Sequence, residues 1–385
     1  MQNEETLLNL NQAASSSPKA PGVAQAVFEF LNGTEQNLGR GVSFAGDPTA
    51  AVVFTTRAKL ATMFDAASPR QVAFTSGLTA AMNVVVAAWL NPGDHVITSC
   101  FDHNAVLRPL FAASERGIRY SVWQSDAQGN FDLNVLDSLR TEKTRALIIA
   151  SASNVCGVYA PLDALGEWCR DRGIKLIVDS AQTAGAKPLS LQTQNIAAIA
   201  FTGHKSLMGP QGIGGLIMSE SFATEVRPFM CGGTGSQSQR LDMPQRLPDK
   251  LEPGTPNLPG IVGLHAAIDY LHGVGLAAIA SKKQALTAHF IEAVQALPGA
   301  RIVGPQTIAN RDAVVSLDFP GRDNAVVSAE LAEHGILTRP GLHCAPLAHQ
   351  ALGTFPAGTV RFSFGYFTQH EAIDRAVDAL KVICQ

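Results

Sequence analysis

The stretch Phe201-Thr202-Gly203-His204-Lys205-Ser206 decides the fold, together with an upstream segment that ends in Asp179-Ser180-Ala181-Gln182. Each stretch closes an apolar run of strand length. The first run ends in a carboxylate at Asp179, and the second ends shortly before the amine of Lys205. We therefore predict two strands of one α/β sheet that both lead into chemically active side chains.

A carboxylate and a lysine at successive strand ends are what a pyridoxal 5'-phosphate (PLP) site requires. The lysine amine can form a Schiff base with the cofactor, and the carboxylate can keep the pyridine nitrogen protonated, so that the ring accepts electrons from a carbanion. A lone lysine after a strand is more often a solvated surface residue. The residues around Lys205 and Asp179 favour the cofactor site.

Composition limits the class of protein. The chain has 385 residues, of which 46% are hydrophobic and 16% charged, which suits an α/β enzyme with two domains and a large core. A net charge of −3 gives no basic field for nucleic acid or a membrane surface. Its apolar runs are too short to span a bilayer, and residues 1–10 lack a secretory pattern, so we expect a cytoplasmic protein.

The cysteines predict neither a metal site nor a disulfide framework. There are six, without a CxxC pair, and in a large cytosolic chain the expected state is a reduced thiol, usually buried. Cys344 is the exception that the sequence singles out, because it lies on a predicted loop bounded by Pro and Gly, between Arg339-Pro340-Gly341-Leu342-His343 and Ala345-Pro346. Positive charge nearby favours thiolate, although a buried, inert cysteine is the commoner case.

Strand and helix signals alternate through the first two thirds of the chain, which indicates a mostly parallel sheet covered by helices. The predicted strands are 72–74, 95–99, 119–123, 145–151, 175–179, 197–202 and 214–218. Beyond residue 260 the pattern changes to strands at 313–319 and 360–364 with helices at 324–333 and 370–383. We therefore expect an N-terminal arm (1–20) that packs on the small domain, a large PLP-binding domain (21–260) and a small C-terminal α+β domain (261–385).

Other motifs have a catalytic and an ordinary interpretation. Thr75-Ser76-Gly77-Leu78-Thr79 opens a helix whose free N–H groups could bind phosphate, or it is a capped turn. His103 could stack on a cofactor ring or lie in a loop, and Asn154 could bind a carboxylate or form a turn. Arg361, between apolar neighbours in a predicted strand, requires an anionic partner, and a substrate carboxylate is one candidate.

Together these motifs resemble the class V aminotransferases of PLP fold type I, and within them the cysteine desulfurase and selenocysteine lyase group. The resemblance runs from Asn11-Gln12-Ala13-Ala14 to the closing helix. It implies an α/β fold with a large domain on a mostly parallel seven-stranded sheet and a smaller C-terminal α+β domain. The chain departs from the family pattern at Asn11, Pro340 and Leu342.

The resemblance also implies a role for each matching residue. Lys205 would be the Schiff-base lysine, Asp179 would pair with the pyridine nitrogen, and Gln182 would reach the ring hydroxyl oxygen. His103 would stack on the ring. The phosphate would be held by Gly77, Leu78, Thr79, Thr202 and His204, with Thr255 reaching the phosphate of the partner subunit in a homodimer with a shared active site.

The implied reaction is the release of sulfur from L-cysteine as a persulfide on Cys344, with L-alanine as the other product. The substrate carboxylate would be bound by Asn154, Arg339 and Arg361, while Lys205, Cys344 and His103 would be catalytic. A sulfur-acceptor protein is a possible partner. The alternatives are a selenocysteine lyase or another PLP β-lyase, or a class V aminotransferase or epimerase in which Cys344 is structural.

Overall fold

The computed structural model describes residues 7–33 and 48–385, so residues 1–6 of the predicted arm lie outside the described residues. The strands, in chain order, are β1 (Leu8–Asn9), β2 (Val72–Thr75), β3 (His95–Ser99), β4 (Arg119–Trp123), β5 (Thr144–Ala150), β6 (Lys175–Asp179), β7 (Ile196–Thr202), β8 (Gly214–Met218), β9 (Arg301–Val303), β10 (Val314–Asp318), β11 (Ile336–Leu337), β12 (Arg339–Gly341) and β13 (Thr359–Ser363). The α-helices are α1 (Val23–Asn32), α2 (Pro48–Met63), α3 (Leu78–Ala88), α4 (Asn104–Ser114), α5 (Leu136–Leu139), α6 (Leu162–Asp171), α7 (Glu220–Glu225), α8 (Leu258–Val274), α9 (Leu276–Gln295), α10 (Asn324–Glu333), α11 (Pro346–Ala351) and α12 (His370–Ile383).

Seven strands form the central sheet in the order β2-β8-β7-β6-β5-β3-β4. Strand β8 runs antiparallel to both of its neighbours, and the remaining pairs are parallel. Strand β2 therefore runs in the same direction as β7, although the two are separated by β8. The predicted mostly parallel, seven-stranded sheet is confirmed.

The strands of this sheet are buried on both faces. In β6, Leu176 and Val178 pack into the apolar core on one side and Ile177 into the core on the other, because successive side chains of a strand point to opposite faces. Helices supply the facing layers, as α6 does with a stripe at helical spacing formed by Leu162, Leu165, Gly166 and Cys169. Two-sided burial explains why these strands appear in the sequence as continuous apolar runs.

The directions of the strands place the predicted site residues at one edge of the large sheet. Strands β3, β5, β6 and β7 all end at the same edge of the sheet, and β2 leads there into α3. Ligands of open α/β sheets bind in the crevice outside the carboxyl ends of the strands. The segments that follow these strand ends contain the predicted residues from Gly77 to Lys205.

The packing of helix α8 bears on the predicted boundary between the large and the small domain. Its buried residues Ile261, Leu264 and Ile268 belong to the core of the large sheet, and the helix packs against α1 and α2. Leu286 and Phe290 of α9 lie instead in the core of the C-terminal part. We therefore propose that the large domain extends to Gly275, rather than to residue 260, because α8 is needed to cover its sheet.

The small domain contains a four-stranded antiparallel sheet in the order β12-β13-β10-β9. Helices α9, α10 and α12 contribute apolar side chains to the core on this sheet. The described part of the arm also contacts it, since β1 pairs in parallel with β11 and Leu10 is buried in the same core. Farther along, the Ser16 N–H donates to the His204 carbonyl at 2.9 Å, so the arm joins the small domain to the turn that contains Lys205.

Among the described residues, no single helix is long and apolar enough to cross a membrane. Helices α8 and α9 meet the length and composition criteria only as a pair, and the two are bent by 81° at their junction.

Candidate active site

One cavity at the carboxyl edge of the large sheet brings most of the predicted residues together. Its volume is about 450 Å³. The predicted residues that line it are Gly77, Leu78, Thr79, His103, Asn154, Asp179, Gln182, Thr202, His204, Lys205, Arg339 and Arg361. Cys344 and Thr255 are not among its lining residues.

Lys205 and Asp179 are placed by two adjacent parallel strands. Asp179 ends β6 beside Ala200 of β7, and a two-residue turn joins the end of β7 to Lys205. Burial raises the pKa of the Asp179 carboxyl, whose Oδ1 accepts a 2.8 Å hydrogen bond from the Ala181 N–H. Removal from water lowers the pKa of the Lys205 ammonium to about 8. An amine with a lowered pKa is a better base and nucleophile near neutral pH.

The start of α3 forms a cradle for an anion. Gly77 has a φ of 149°, a backbone conformation that favours glycine, and it turns the chain from β2 into the helix. The N–H groups of the first helical turn have no partner within the helix and lie at the positive end of its dipole. The ring of His204 borders the same cavity, and its buried Nδ1 has no hydrogen-bond partner among residues 7–33 and 48–385. Together these groups can supply the hydrogen bonds that a phosphate dianion requires.

His103 is held in a fixed orientation as the N-cap of α4. Its Nδ1 accepts a 3.0 Å hydrogen bond from the Ala105 N–H, which leaves Nε2 as the protonated nitrogen of the neutral ring. Burial lowers the pKa of His103 to about 4, so the neutral form is the relevant one. The ring therefore faces the cavity as an uncharged, oriented aromatic group. An uncharged aromatic ring in a fixed orientation is what the predicted stacking on a cofactor requires.

The sequence interpretation missed Asp102, which precedes His103 and is fully buried. Its Oδ2 accepts hydrogen bonds from Thr98 Oγ1 (2.6 Å), Ser99 N (2.6 Å) and Ser99 Oγ (3.0 Å), and its Oδ1 accepts one from Ala150 N (2.5 Å). These hydrogen bonds connect the end of β3 to the end of β5. They also fix the backbone position from which the side chain of His103 extends. Burial raises the pKa of this carboxyl to about 6. The missed signal was an acidic residue that follows an apolar strand.

We expect Asp102→Ala to lower the free energy of unfolding by about 3 kcal/mol or more. The substitution leaves buried donors on Thr98, Ser99 and Ala150 without an acceptor, and each such group costs about 1–3 kcal/mol. Urea unfolding measures the change. Asp126→Ala is the matched control, because this carboxylate also accepts several hydrogen bonds but is exposed. A loss for Asp102→Ala no larger than that of the control would contradict the assignment.

Arg339 and Arg361 lie directly opposite each other in the small-domain sheet. The antiparallel register of β12 and β13 pairs these two residues, so their side chains share one face. The sequence interpretation placed 339–341 in a loop, which is wrong: it is an edge strand, a position that tolerates Pro340. Like charges directly opposite are destabilising unless an anion lies between them. Arg361 is only 1% exposed, so its charge is buried, and together with half-buried Arg339 it can bind a negatively charged group.

We call the pair Arg339 and Arg361 the arginine corner. Asn154 connects it to the segment that contains Cys344. Its Nδ2 donates a 2.8 Å hydrogen bond to the His343 carbonyl, and its backbone carbonyl accepts one of 3.1 Å from Arg361 Nη1. One side-chain N–H of Asn154 is therefore engaged with the protein, and its buried Oδ1 has no hydrogen-bond partner in the part of the chain that the structure describes. A substrate carboxylate can meet only the remaining N–H, which narrows the role predicted for Asn154.

Cys344 lies on a short segment under backbone strain. His343 and Cys344 have φ values of 50° and 58°, and a left-handed conformation costs an L-residue about 1–2 kcal/mol. The segment is held by the Asn104 N–H, which donates to the Cys344 carbonyl at 2.7 Å, and by a 2.9 Å hydrogen bond between His343 Nε2 and Thr359 Oγ1. These contacts fix the position of the thiol.

The thiol of Cys344 is half-buried and lies 3.7 Å from Nη2 of Arg339. It lines a second cavity that adjoins the first, and both cavities share Thr79 and His103 in their walls. Cys344 is therefore on the rim of the Lys205 cavity rather than inside it. Arg339 therefore places a positive charge beside the sulfur.

The surroundings of two other predicted residues do not test their roles, which therefore stay predictions. Gln182 lines the cavity and its Nε2 donates to the Ala13 carbonyl at 3.3 Å, so the arm holds its side chain. Thr255 is exposed in the single chain. Its predicted contact with phosphate requires a second subunit.

The family model for aminotransferase class-V matches residues 9–376, which is nearly the whole chain. The chain belongs to the class V aminotransferases. A probable cysteine desulfurase of Xylella fastidiosa (strain 9a5c) is 32% identical, over 95% of this chain and 88% of the relative. The cysteine desulfurase of Serratia proteamaculans (strain 568) is 30% identical, over 99% and 94%. The apo structure of the cysteine desulfurase from Thermococcus onnurineus NA1 superposes with a TM-score of 0.91 at 27% identity, covering 98% and 94%.

Class V aminotransferases are PLP-dependent enzymes, and the cavity fits that cofactor. The α3 cradle suits a phosphate, and His204, whose Nδ1 has no hydrogen-bond partner among the described residues, lines the same cavity. Buried Asp179 can serve as the carboxylate partner that a pyridine nitrogen requires, and the amine of Lys205 lies at the next strand end. The donor set and the charge distribution of the cavity therefore suit the cofactor of the family.

Proposed function

We propose that this class V aminotransferase is a PLP-dependent cysteine desulfurase, which takes sulfur from L-cysteine and leaves it as a persulfide on Cys344, with L-alanine as product. The observation that carries the proposal is the position of Cys344, beside Arg339 and on the rim of the Lys205 cavity. A structural cysteine would need neither this exposure nor the strained, clamped segment that presents it. The relatives named cysteine desulfurase support the same reaction.

Bound PLP would supply a covalent link to the substrate amine and an electron sink for its α-carbon. In the proposed site, Lys205 would carry the cofactor, and its amine, once free, would move the proton at the substrate Cα. Asp179 would hold the ring nitrogen, and the α3 cradle with Thr202 and His204 would hold the phosphate. His103 would stack on the ring, and Gln182 would reach its hydroxyl oxygen.

The arginine corner binds the substrate carboxylate and so orients the reacting sulfur. Arg361, together with Arg339 and one N–H of Asn154, forms the anion site described above. With the carboxylate held there, the substrate side chain can extend toward the rim, where the Cys344 thiolate would attack the sulfur. The S–S bond of the persulfide would form as the substrate Cβ–Sγ bond breaks, and the electron pair of that bond would remain on the substrate carbons, which are protonated to give alanine. The contact between Asn154 and the His343 carbonyl keeps the carboxylate site and the thiol in a fixed relation.

The proposed assembly is a homodimer with a shared active site, because Thr255 would complete the phosphate site of the partner subunit. A sulfur-acceptor protein would take the persulfide from Cys344 at the rim, and we expect the enzyme to act in the cytoplasm. The direct test is product analysis: L-cysteine should give L-alanine and protein-bound sulfur in equal amounts. A keto acid without alanine would instead indicate a β-lyase if sulfide and ammonia are released with it, or an aminotransferase if the keto acid retains the sulfur.

Asp179→Ala should leave PLP bound but reduce turnover of L-cysteine by about two orders of magnitude or more. The phosphate cradle and Lys205 are untouched, but the ring nitrogen loses the carboxylate that keeps it protonated and with it much of the electron sink. The measurement is kcat together with the cofactor content by absorbance. Asp179→Glu is the conservative control and should recover part of the rate. Normal turnover by Asp179→Ala would refute the role of this residue.

A further inference from the structure

Two buried histidines pack together next to the segment that contains Cys344. His343 directly precedes the cysteine, and His349 lies in α11, which begins shortly after it. The two residues are 2% and 0% exposed, and their ring centroids lie 5.4 Å apart with 47° between the ring planes. Neither histidine is among the residues that line the Lys205 cavity, so an effect on the reaction has to pass through Cys344.

A hydrogen bond joins each of these rings to a buried threonine farther along the chain. His343 Nε2 lies 2.9 Å from Thr359 Oγ1 at the start of β13, and His349 Nδ1 lies 2.7 Å from Thr354 Oγ1. The His349 carbonyl also accepts a 2.8 Å hydrogen bond from the Thr354 N–H. The chain that leaves Cys344 is therefore attached at two positions to the chain that leads into β13.

Both rings are neutral near pH 7. Burial lowers the pKa of His343 to about 2, with a smaller contribution from the charge of Arg361, and burial lowers the pKa of His349 to about 4. The histidine pair therefore adds no charge beside the thiol. Its influence on Cys344 is exerted through packing and orientation.

The backbone at Cys344 needs such contacts because it is strained. His343 and Cys344 both have left-handed φ values, which L-residues keep only where the surrounding structure holds them. From the large domain, the Asn154 side chain holds the His343 carbonyl and the Asn104 N–H holds the Cys344 carbonyl. The histidine–threonine contacts hold the same two residues from the small domain.

We propose that His349 is a positioning residue for the Cys344 thiol, because its contacts with Thr354 and the ring of His343 keep the strained segment in the conformation that presents the sulfur at the rim of the Lys205 cavity. The inference rests on the proposed function, in which Cys344 accepts sulfur. A loosened segment should react more slowly with bound substrate, where geometry decides, and faster with a small reagent from solvent, where access decides.

The test compares Thr354→Val, which replaces the hydroxyl with a methyl group, with Thr354→Ser, which keeps the hydroxyl. His349→Leu removes the other partner of the same hydrogen bond. Thr287→Val is the matched control, because Thr287 is also buried and its hydroxyl donates a 2.7 Å hydrogen bond to the Lys283 carbonyl within α9.

Three quantities are measured on the PLP-loaded variants. Steady-state kinetics with L-cysteine gives kcat and KM, and calorimetric titration gives the affinity for L-alanine. Alkylation of Cys344 by iodoacetamide is followed by mass spectrometry of its peptide, and exposed Cys231 in the same digest is the internal reference.

We expect Thr354→Val to lose about 10-fold in kcat, while KM and the affinity for L-alanine stay within about twofold of wild type. Cys344 should be alkylated about 3-fold faster or more, and Cys231 at the wild-type rate. His349→Leu should show the same pattern; if it does not fold, the two Thr354 variants decide. Thr354→Ser should resemble wild type, and Thr287→Val should keep the wild-type kcat and alkylation rate even if it unfolds at a lower temperature.

The proposal is overturned if Thr354→Val keeps the wild-type kcat, if its Cys344 is alkylated no faster than in wild type, or if Thr354→Ser or Thr287→Val loses as much in kcat as Thr354→Val. Alkylation involves no sulfur transfer, so this readout is independent of the proposed function. That function fails separately, if Cys344→Ser turns over L-cysteine at the wild-type rate.

Discussion

Lys205→Ala is expected to abolish turnover of L-cysteine, with a loss of at least about four orders of magnitude in kcat. The variant loses both the amine that carries PLP and the base that moves the Cα proton. Other lysines near the cavity cannot replace it, because Lys283 is paired with Asp312 at 3.0 Å and Lys19 donates to the His204 carbonyl on the arm side of the Lys205 turn.

The measurement for Lys205→Ala is steady-state kinetics together with borohydride reduction and peptide mapping. In wild type the reduced PLP label should map to the peptide that contains Lys205. The exposed residue Lys143 provides a matched control, since Lys143→Ala should keep both the rate and the label. A label on a different lysine in wild type, or a near-normal rate in Lys205→Ala, would show that the cofactor site is wrongly assigned.

Cys344→Ser should lose L-cysteine desulfuration by about two orders of magnitude or more, because a serine hydroxyl at neutral pH is a far weaker nucleophile toward sulfur than a thiolate. Substrate binding should persist, since Arg361, Asn154 and Lys205 are unchanged. Activity toward L-selenocysteine should fall less, because the weaker carbon–selenium bond asks less of the nucleophile.

The control for Cys344→Ser is Cys231→Ser, which removes an exposed cysteine and should have wild-type kinetics. The comparison of the two variants separates a specific sulfur acceptor from a general effect of thiol loss. If Cys344→Ser turns over L-cysteine at the wild-type rate, Cys344 is structural, and a β-lyase or aminotransferase reaction becomes the better account.

The fold was predictable from the sequence where burial dominates. Strands such as β6 and β7 lie between two layers of helices, so their apolar runs are long and uninterrupted, and the polar residues at their ends mark the edge of the sheet. Asp179 and Lys205 were found by that signal. The later boundary that we propose for the large domain was not predicted, because α8 and α9 are consecutive helices whose sequences do not reveal which core each one covers.

The contacts that refine the site depend on distant pairings that the sequence does not encode locally. Arg339-Pro340-Gly341 has the composition of a turn, and only its pairing with β13 makes it an edge strand that places Arg339 opposite Arg361. The hydrogen bond between Asn11 and Arg361 likewise depends on how the arm crosses the small domain. Such contacts require the relative placement of elements, which hydrophobic periodicity does not give.

The central claim is that sulfur from L-cysteine is transferred to Cys344, and mass spectrometry of the PLP-loaded enzyme after one equivalent of L-cysteine tests it most directly. We predict that the peptide containing Cys344 gains the mass of one sulfur atom, that the gain is removed by a thiol reductant, and that an equal amount of L-alanine forms. L-Alanine formation without added sulfur on this peptide, or with sulfur on another cysteine, would contradict the account.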